Sequence, residues 1–466
     1  MLFTIIRKLG LSLDLDESER KKILWLAFAF FCVIGAYTVL KEMKDVLFVQ
    51  IVGAQYMYKV KLVSMFVLLP ATLLYAKLVD SMSRFRLLCF YSGLYGIGGL
   101  VIAYFLSDPV IGLANTVSSG HRWFGWGIYL FYEGIVPFVV SVFWSFSNSV
   151  TKPETAKKGY TVIIAGSKLG GMFTAGIATL LFMPTSVLGK VPFSSIALHQ
   201  MLLVFASVLL AASPIVIYYL LKVSSEKSLH GYEAVYSHEK EAEKKGKSDT
   251  GILSGLYMFK KYPYILGIFG MMFFYELVNV VLGIQRAFIV QSASKSAAAF
   301  TGTMFYQRFC MHFLGFIVSF FGTRVLVKRL GERICLLLIP LITGVLLLYF
   351  MIAYNEQAVL YVFMILGMLN YAFSSPLREA LYIPTVKDIR FKSKSWIESF
   401  GQRFAKGCGS SAIGTIQYVA AVGTPLYMGL FSTFFAVIIV CWTIVAWFLG
   451  KKYISVVKNK EVIGAE

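Results

Sequence analysis

Charge is scarce in this chain, and negative charge scarcest: 15% of the 466 residues are charged, with 24 Asp and Glu against 44 Lys and Arg. That is too little to coat a soluble protein of this length. Pairable cysteine is lacking too. Cys32, Cys89, Cys310, Cys335, Cys408 and Cys441 form no C-x-x-C and sit mostly among apolar residues, so neither a disulfide frame nor a metal site is indicated. His121, His199, His230, His238 and His312 are scattered, without HExxH or GxSxG, and an enzyme is not expected. Residues 1–22 lack the apolar core and cleavage site of a signal peptide and the acid-poor character of a transit peptide, and are expected to form a cytoplasmic N-terminal segment.

What is abundant is apolar surface: 58% of residues are hydrophobic and 16% aromatic, with mean hydropathy +0.72. Uncharged runs of about twenty residues predict helical spans rather than barrel strands. They fall at roughly 23–49, 58–79, 86–107, 124–150, 159–184, 198–222, 263–290, 300–327, 333–354, 357–381, 396–421 and 425–450, about twelve in all. The expected fold is an all-α membrane protein. Net charge +20 raises the question of nucleic acid, but the basic residues lie between spans, as orientation signals do. Arg84 and Arg86, Lys152 with Lys157 and Lys158, Arg324 to Arg333, and Lys387 to Lys394 mark one side, which places both termini in the cytoplasm. Lys59 and Lys61 fall on the other side and are expected on the inner face of the second span. The mixed charge run within 223–262 reads as a cytoplasmic linker between bundles 23–222 and 263–450, with a tail at 451–466.

One stretch breaks the apolar pattern. Tyr37-Thr-Val-Leu-Lys41-Glu42-Met-Lys44-Asp45 sets four charges at the end of a span that is uncharged from Ile23 to Leu40. At about 100° per residue, Tyr37, Lys41, Lys44 and Asp45 share a stripe roughly a third of the circumference wide, with Glu42 to its side. A lysine in mid-membrane costs roughly 2.5–3.5 kcal/mol on insertion scales, so this face should meet a cavity, a ligand or a partner charge. The plain alternative is a local pair between Lys41 and Asp45.

Further ionisable residues sit inside spans: Lys61, Glu133, Lys168, Glu276, Arg286, Arg308, Arg378, Glu379, Glu398, Arg403 and Lys406. Glu276, Asn279, Gly283 and Arg286 share one helix face, as do Glu398, Gln402, Lys406 and Gly409. Each could be a structural ion pair, Arg378 with Glu379 for instance. The excess of cations suits a polyphosphate, whose charge must be matched before it leaves water. Lys168-Leu-Gly170-Gly171 and Lys406-Gly407-Cys-Gly409 place a lysine beside glycines that allow close backbone approach, though neither is a phosphate-binding loop of the GxxxxGK[ST] type. Tyr37 or Phe143 is a candidate to stack on a base.

A weak repeat joins the two bundles. Asp80-Ser-Met-Ser83-Arg84-Phe-Arg86 is matched by Lys328-Arg-Leu-Gly331-Glu-Arg333, and the stretch from Lys152 to Gly171 by that from Lys387 to Gly409. Six spans plus six with such turns suggest a major-facilitator-like architecture, two bundles rocking about a central site.

The stretch from Tyr37 to Asp45 resembles the first-helix signature of the nucleotide transporters (ATP/ADP translocases) of plastids and obligate intracellular bacteria. Lys61 through Pro70 with Tyr75-Ala-Lys77, Phe143-Trp144 through Lys152 with Ala156 to Tyr160, and Arg378-Glu379 through Pro384 with Lys392 to Glu398 and Lys406-Gly407 agree in order and spacing. The resemblance implies a nucleotide transporter with a major-facilitator-like fold. In it, Lys44 and Lys406 meet phosphates and Glu133 takes part in substrate or proton coupling. Where the family has an acid four positions before a lysine, this chain has Asn279 and Gly283. Lys168 stands where the family usually has a neutral amide.

The expected function is secondary transport of nucleotides by alternating access, as ATP/ADP-type exchange or nucleotide/proton symport. Substrate contacts are expected from Lys44, Lys406, Lys168, Arg286, Lys41, Asn279 and Tyr37, and charge balance or coupling from Glu133, Glu276, Asp45 and Glu398. The partners are a nucleotide, a proton if coupling exists, and membrane lipid, with no cofactor and no nucleic acid. A bacterial inner membrane is the expected location. The competing reading is a major facilitator symporter of another small organic anion or metabolite, which needs fewer cations.

Overall fold

The computed structural model describes residues 16–151, 153–183, 193–223, 259, 261–321, 323–386, 393–394, 396–459 and 461–464. The start of the N-terminal segment, the body of the expected linker (224–258) and the basic residues Lys152, Lys387, Arg390 and Lys392 lie outside them. The described elements are helices: α1 Glu17–Ile51, α2 Met57–Ser81, α3 Arg84–Phe105, α4 Trp123–Glu133, α5 Ser141–Val150, α6 Pro153–Phe182, α7 Ser195–Val223, α8 Pro263–Ala293, α9 Ala297–Phe321, α10 Thr323–Ala353, α11 Glu356–Leu369, α12 Ser375–Leu381, α13 Gln402–Val419 and α14 Pro425–Lys458. Three π-helical turns, Val136–Val140, Asn370–Ser374 and Ile397–Gly401, link α4 to α5, link α11 to α12, and lead into α13.

Nine helical segments among the described residues are long and apolar enough to cross a membrane. The chain is therefore a multi-pass membrane protein. The expected spans in α9, α11 with α12, and α13 are not among the nine. In α13 the reason is visible: Gln402, Arg403, Lys406, Ser410, Ser411, Thr415 and Gln417 leave it an apolar side only. Helix starts follow ordinary capping chemistry, with Asn355 Oδ1 accepting from the Ala358 N–H at 2.8 Å and Thr424 Oγ1 from the Tyr427 N–H at 3.3 Å. At the C-terminus α14 runs to Lys458, past the expected end at 450, because Tyr453 and Val456 still find buried positions. Beyond it the tail turns back, and Ile463 exchanges backbone hydrogen bonds with Pro384 and Val386. Lys59 is exposed beside Tyr56 and Tyr58, and Lys61 is half-buried.

The chain forms two compact units: residues 1–53, 68–247 and 295–309 make one, and 54–67, 248–294 and 310–466 the other. In the first, α1 is the hub, packed on α6, α7 and α4, while α3 lies on α7 and α5. In the second, α8 is the hub, packed on α13, α14 and α11, while α10 lies on α14 and α11. The hubs are gripped in the same way. A Cβ on Gly170 of α6 would strike the backbone of Phe31 in α1, and one on Gly409 of α13 would meet Val280 and the Leu277 carbonyl of α8. Small residues at such crossings are how membrane helices gain contact where lipid supplies no hydrophobic drive.

The end of α1 is fixed by the segment before α4. Asp108 accepts from the N–H groups of Ile111 and Val110, bonds that hold its carboxyl below the usual range. The Arg122 guanidinium donates to the carbonyls of Ile111 (2.9 Å), Asn115 and Val117 (3.0 Å each) and Gly112, and at 3.4 Å to that of Ile51. One cation thus ties the segment to the carbonyl end of α1.

Candidate functional site

In the first unit the ionic stretch of α1 divides between two environments. Tyr37, Lys41 and Asp45 keep a half-buried stripe, with the Lys41 ammonium 5.4 Å from the Tyr37 ring centroid. Lys44 is turned inward and only 5% exposed. Its Nζ lies 2.6 Å from Glu133 Oε2, 3.2 Å from Asp45 Oδ1 and 3.9 Å from the centroid of the Tyr129 ring. Tyr129 and Glu133 are one helical turn apart on α4 and so face α1 together. Phe48, one turn beyond Lys44, packs against Tyr129 and Trp126 with centroids 5.4 Å apart in each case. An ammonium between two carboxylates and over the negative face of a ring is well compensated, which is the condition for holding it away from water.

Pro137 explains the position of Glu133. It has no N–H to give to the Glu133 carbonyl four residues back, so α4 stops at Glu133 and the chain passes through a π turn. Such turns are common where a side chain must be presented for function.

Glu42, off to the side of the stripe as its helical position predicts, is fully buried and accepts from Arg308 of α9, through Nε at 2.5 Å and through Nη2. Tyr129 and the Glu42–Arg308 pair are the residues that sequence reasoning missed. An aromatic one turn before an intramembrane acid was the available hint for Tyr129; no local signal pairs residues 266 apart.

Lys168 is half-buried on α6. Gly170, two residues on, does not offer backbone to a ligand, since α1 fills the space beside it. Phe143 is likewise corrected as a base-stacking candidate: it is fully buried and stacked on Phe30 at 4.4 Å.

In the second unit, α8 carries Glu276 and Gly283 half-buried and Asn279 exposed, with open space where a Gly283 side chain would stand. Arg286 is buried on the same face, its guanidinium 4.0 Å from the Phe363 ring centroid. Lys406 is half-buried on α13, and the neighbouring Gly407 is met by Met65. Glu379, expected beside Arg378, accepts instead from Lys394 at 2.7 and 2.8 Å. Glu398 is exposed, 3.9 Å from the same lysine. That is a surface pair of small energetic weight.

This geometry can be set beside proteins already described. The ADP,ATP carrier protein 1 of Rickettsia conorii is 24% identical over 493 residues, covering 96% of each chain. The ADP,ATP carrier protein 3 of Rickettsia bellii is 25% identical over 453 residues, 85% of this chain and 87% of that one. Among solved structures, a D-xylose-proton symporter aligns with TM-score 0.61 at 13% identity, over 92% of this chain and 96% of its own. The fold is thus all-α and multi-spanning, like that of the major facilitator transporters. Residues 12–453 match the family described as TLC ATP/ADP transporter, and the chain belongs to that family.

Proposed function

We propose that this protein is a secondary transporter of nucleotides working by alternating access, in ATP/ADP-type exchange or nucleotide/proton symport. The observation that carries the reading is the Lys44 cluster in a chain of this family: a buried ammonium held by Glu133, Asp45 and the ring of Tyr129. A phosphate presents the same kind of charged oxygen to Lys44 as Glu133 does, and brings more of them. Substrate then takes the place of a carboxylate. The freed acid supplies the charge balance when the site empties, and it is the natural carrier of a proton where transport is proton-coupled. We assign Lys406, Lys168, Arg286, Lys41, Asn279 and Tyr37 to the rest of the substrate's contacts, and Glu276 and Asp45 to charge balance. Glu398 stays a weaker candidate because of its surface position.

The same reading takes the helices as twelve spans in a six-plus-six repeat, counting α4 with α5 and α11 with α12 as single rods. Support comes from the matched packing about α1 and α8 and from π turns in the fourth and tenth rods. We place both termini in the cytoplasm, the bundles at 23–222 and 263–450, the linker at 223–262 and the tail at 451–466, in a bacterial inner membrane. Uptake of labelled nucleotides by proteoliposomes tests the proposal. ATP or ADP should be taken up, with Lys44→Ala and Lys406→Ala each lowering the rate at least tenfold. Uptake into vesicles lacking internal nucleotide, tracking a pH gradient, selects symport; dependence on internal nucleotide selects exchange. No uptake of any purine or pyrimidine phosphate sinks the proposal in favour of another small organic anion.

A further inference from the structure

α9 is one unbroken helix shared by the two units: through Phe309 it is counted with the first, from Cys310 with the second. It contains no proline, unlike α2, which also crosses from one unit to the other but carries Pro70 just past the crossing. A rod without a hinge does not bend cheaply. If the bundles 23–222 and 263–450 move against each other in transport, α9, which belongs to the second of them in sequence, has to let go of the helices of the first.

Each end has its own hold. In the second unit Met311 occupies the notch left by Gly367 of α11, an apolar contact. In the first, the hold is polar. Arg308 donates to Glu42 of α1. Two turns away, Thr301 Oγ1 lies 2.8 Å from His199 Nε2 of α7 and 3.2 Å from Gln50 Nε2 of α1, which also donates to the Ala297 carbonyl at 3.2 Å. Thr301 and Arg308 lie seven residues apart on one face of α9, and Gln50 and Glu42 eight apart on α1. The contacts therefore run antiparallel for about 11 Å. Glu42, Thr301 and His199 are fully buried.

A buried ion pair is a poor device for stability alone, because apolar side chains of similar volume hold as well or better. It has one property that they lack: water entering between its members replaces what each loses. Resting on the alternating-access reading above, we propose that Glu42 and Arg308, with the Gln50–Thr301–His199 hydrogen bonds, form a latch that holds the first half of α9 on α1 and parts once in every transport cycle. The second half of α9 stays in place while the first half releases.

A reversible cross-link tests this in the full-length transporter. Gln50→Cys with Thr301→Cys puts two thiols where side chains now touch, and each single variant serves as control for the native cysteines. Oxidation should lower nucleotide uptake at least tenfold and leave nucleotide-induced thermal stabilisation in place, and reductant should restore uptake. Uptake unchanged in fully cross-linked protein overturns the latch, as does failure of the thiols to join in folded protein. Absence of uptake by the unaltered protein overturns the transport reading, and the latch with it. A second measurement does not need the cysteine pair. In membrane fragments, Thr301→Cys combined with Glu42→Gln and Arg308→Gln should react at least threefold faster with an impermeant thiol reagent than Thr301→Cys alone, and equal rates count against the proposal.

Discussion

Lys44 has two carboxylates and an aromatic ring beside it, and removing the ring should be felt differently from removing an acid. The Tyr129 ring neutralises nothing, yet it fixes where the ammonium rests, 3.9 Å above its centroid. A desolvated cation–π contact contributes about 2 kcal/mol, equivalent to roughly thirtyfold in an affinity. Tyr129→Phe keeps the ring and should leave the KM for nucleotide within about twofold, whereas Tyr129→Leu should raise KM by about tenfold or more. Initial-rate uptake in proteoliposomes separates the two, and equal KM values for Phe and Leu would deny the ring any part. The charges around this site were legible as sequence, since Lys44, Asp45 and Glu133 stand out in apolar runs. Their pairing was only half legible. Helical spacing pointed Asp45 toward Lys41, but the structure gives it to Lys44 at 3.2 Å, because Lys44 is the residue that faces inward. Glu42 was the costlier miss: a wheel drawn for one helix says nothing about a partner on another.

Among the helices, glycine decides which faces close. A side chain on Gly170 would collide with the Phe31 backbone of α1, and backbone cannot move aside as a flexible side chain can. Gly170→Val should cost about 1–3 kcal/mol or more by overpacking, seen as loss of the monodisperse peak in detergent. Among the described residues no neighbouring side chain or helix lies within 4 Å of where a Cβ on Gly283 would stand, so Gly283→Ala should keep that peak and lose little or no stability. Arg122 is the counterpart on the loop side. Lysine has one nitrogen where the guanidinium divides its donors among five carbonyls, so Arg122→Lys should leave most of them unmatched and speed proteolysis between α3 and α4. Helix existence and rough limits were readable because uncharged runs of bilayer length have few alternatives. The π turns were not, since Pro137 announces a lost hydrogen bond without saying how the helix absorbs it. Nor was the service of Gly170 and Gly409 to helix packing. A glycine beside a lysine looks the same whether a ligand or a helix approaches it.

For the molecule as a whole, the division of the chain at its linker is not the division of its packing. Residues 54–67 belong with the second unit, where Met65 meets Gly407 and Tyr58 meets Gly414 of α13, and residues 295–309 belong with the first. Each half of the sequence therefore lends a segment to the other. An N-terminal fragment ending at residue 240 would keep Glu42 but lose Arg308. Leaving one member of a buried pair uncompensated costs about 3–5 kcal/mol, a large part of what a domain has to spare. The C-terminal fragment from 241 would keep α8 and α13 but lose Tyr58 and Met65 from the glycine notches of α13. Neither fragment should give a monodisperse protein alone. Produced together they should co-purify and recover nucleotide uptake, since the cut falls within 224–258 and severs none of the packing described above. Fragments that were each stable alone would mean that the exchanged segments contribute little to either fold, and the Glu42–Arg308 contact would then be an incidental pair rather than part of what holds α9 in place.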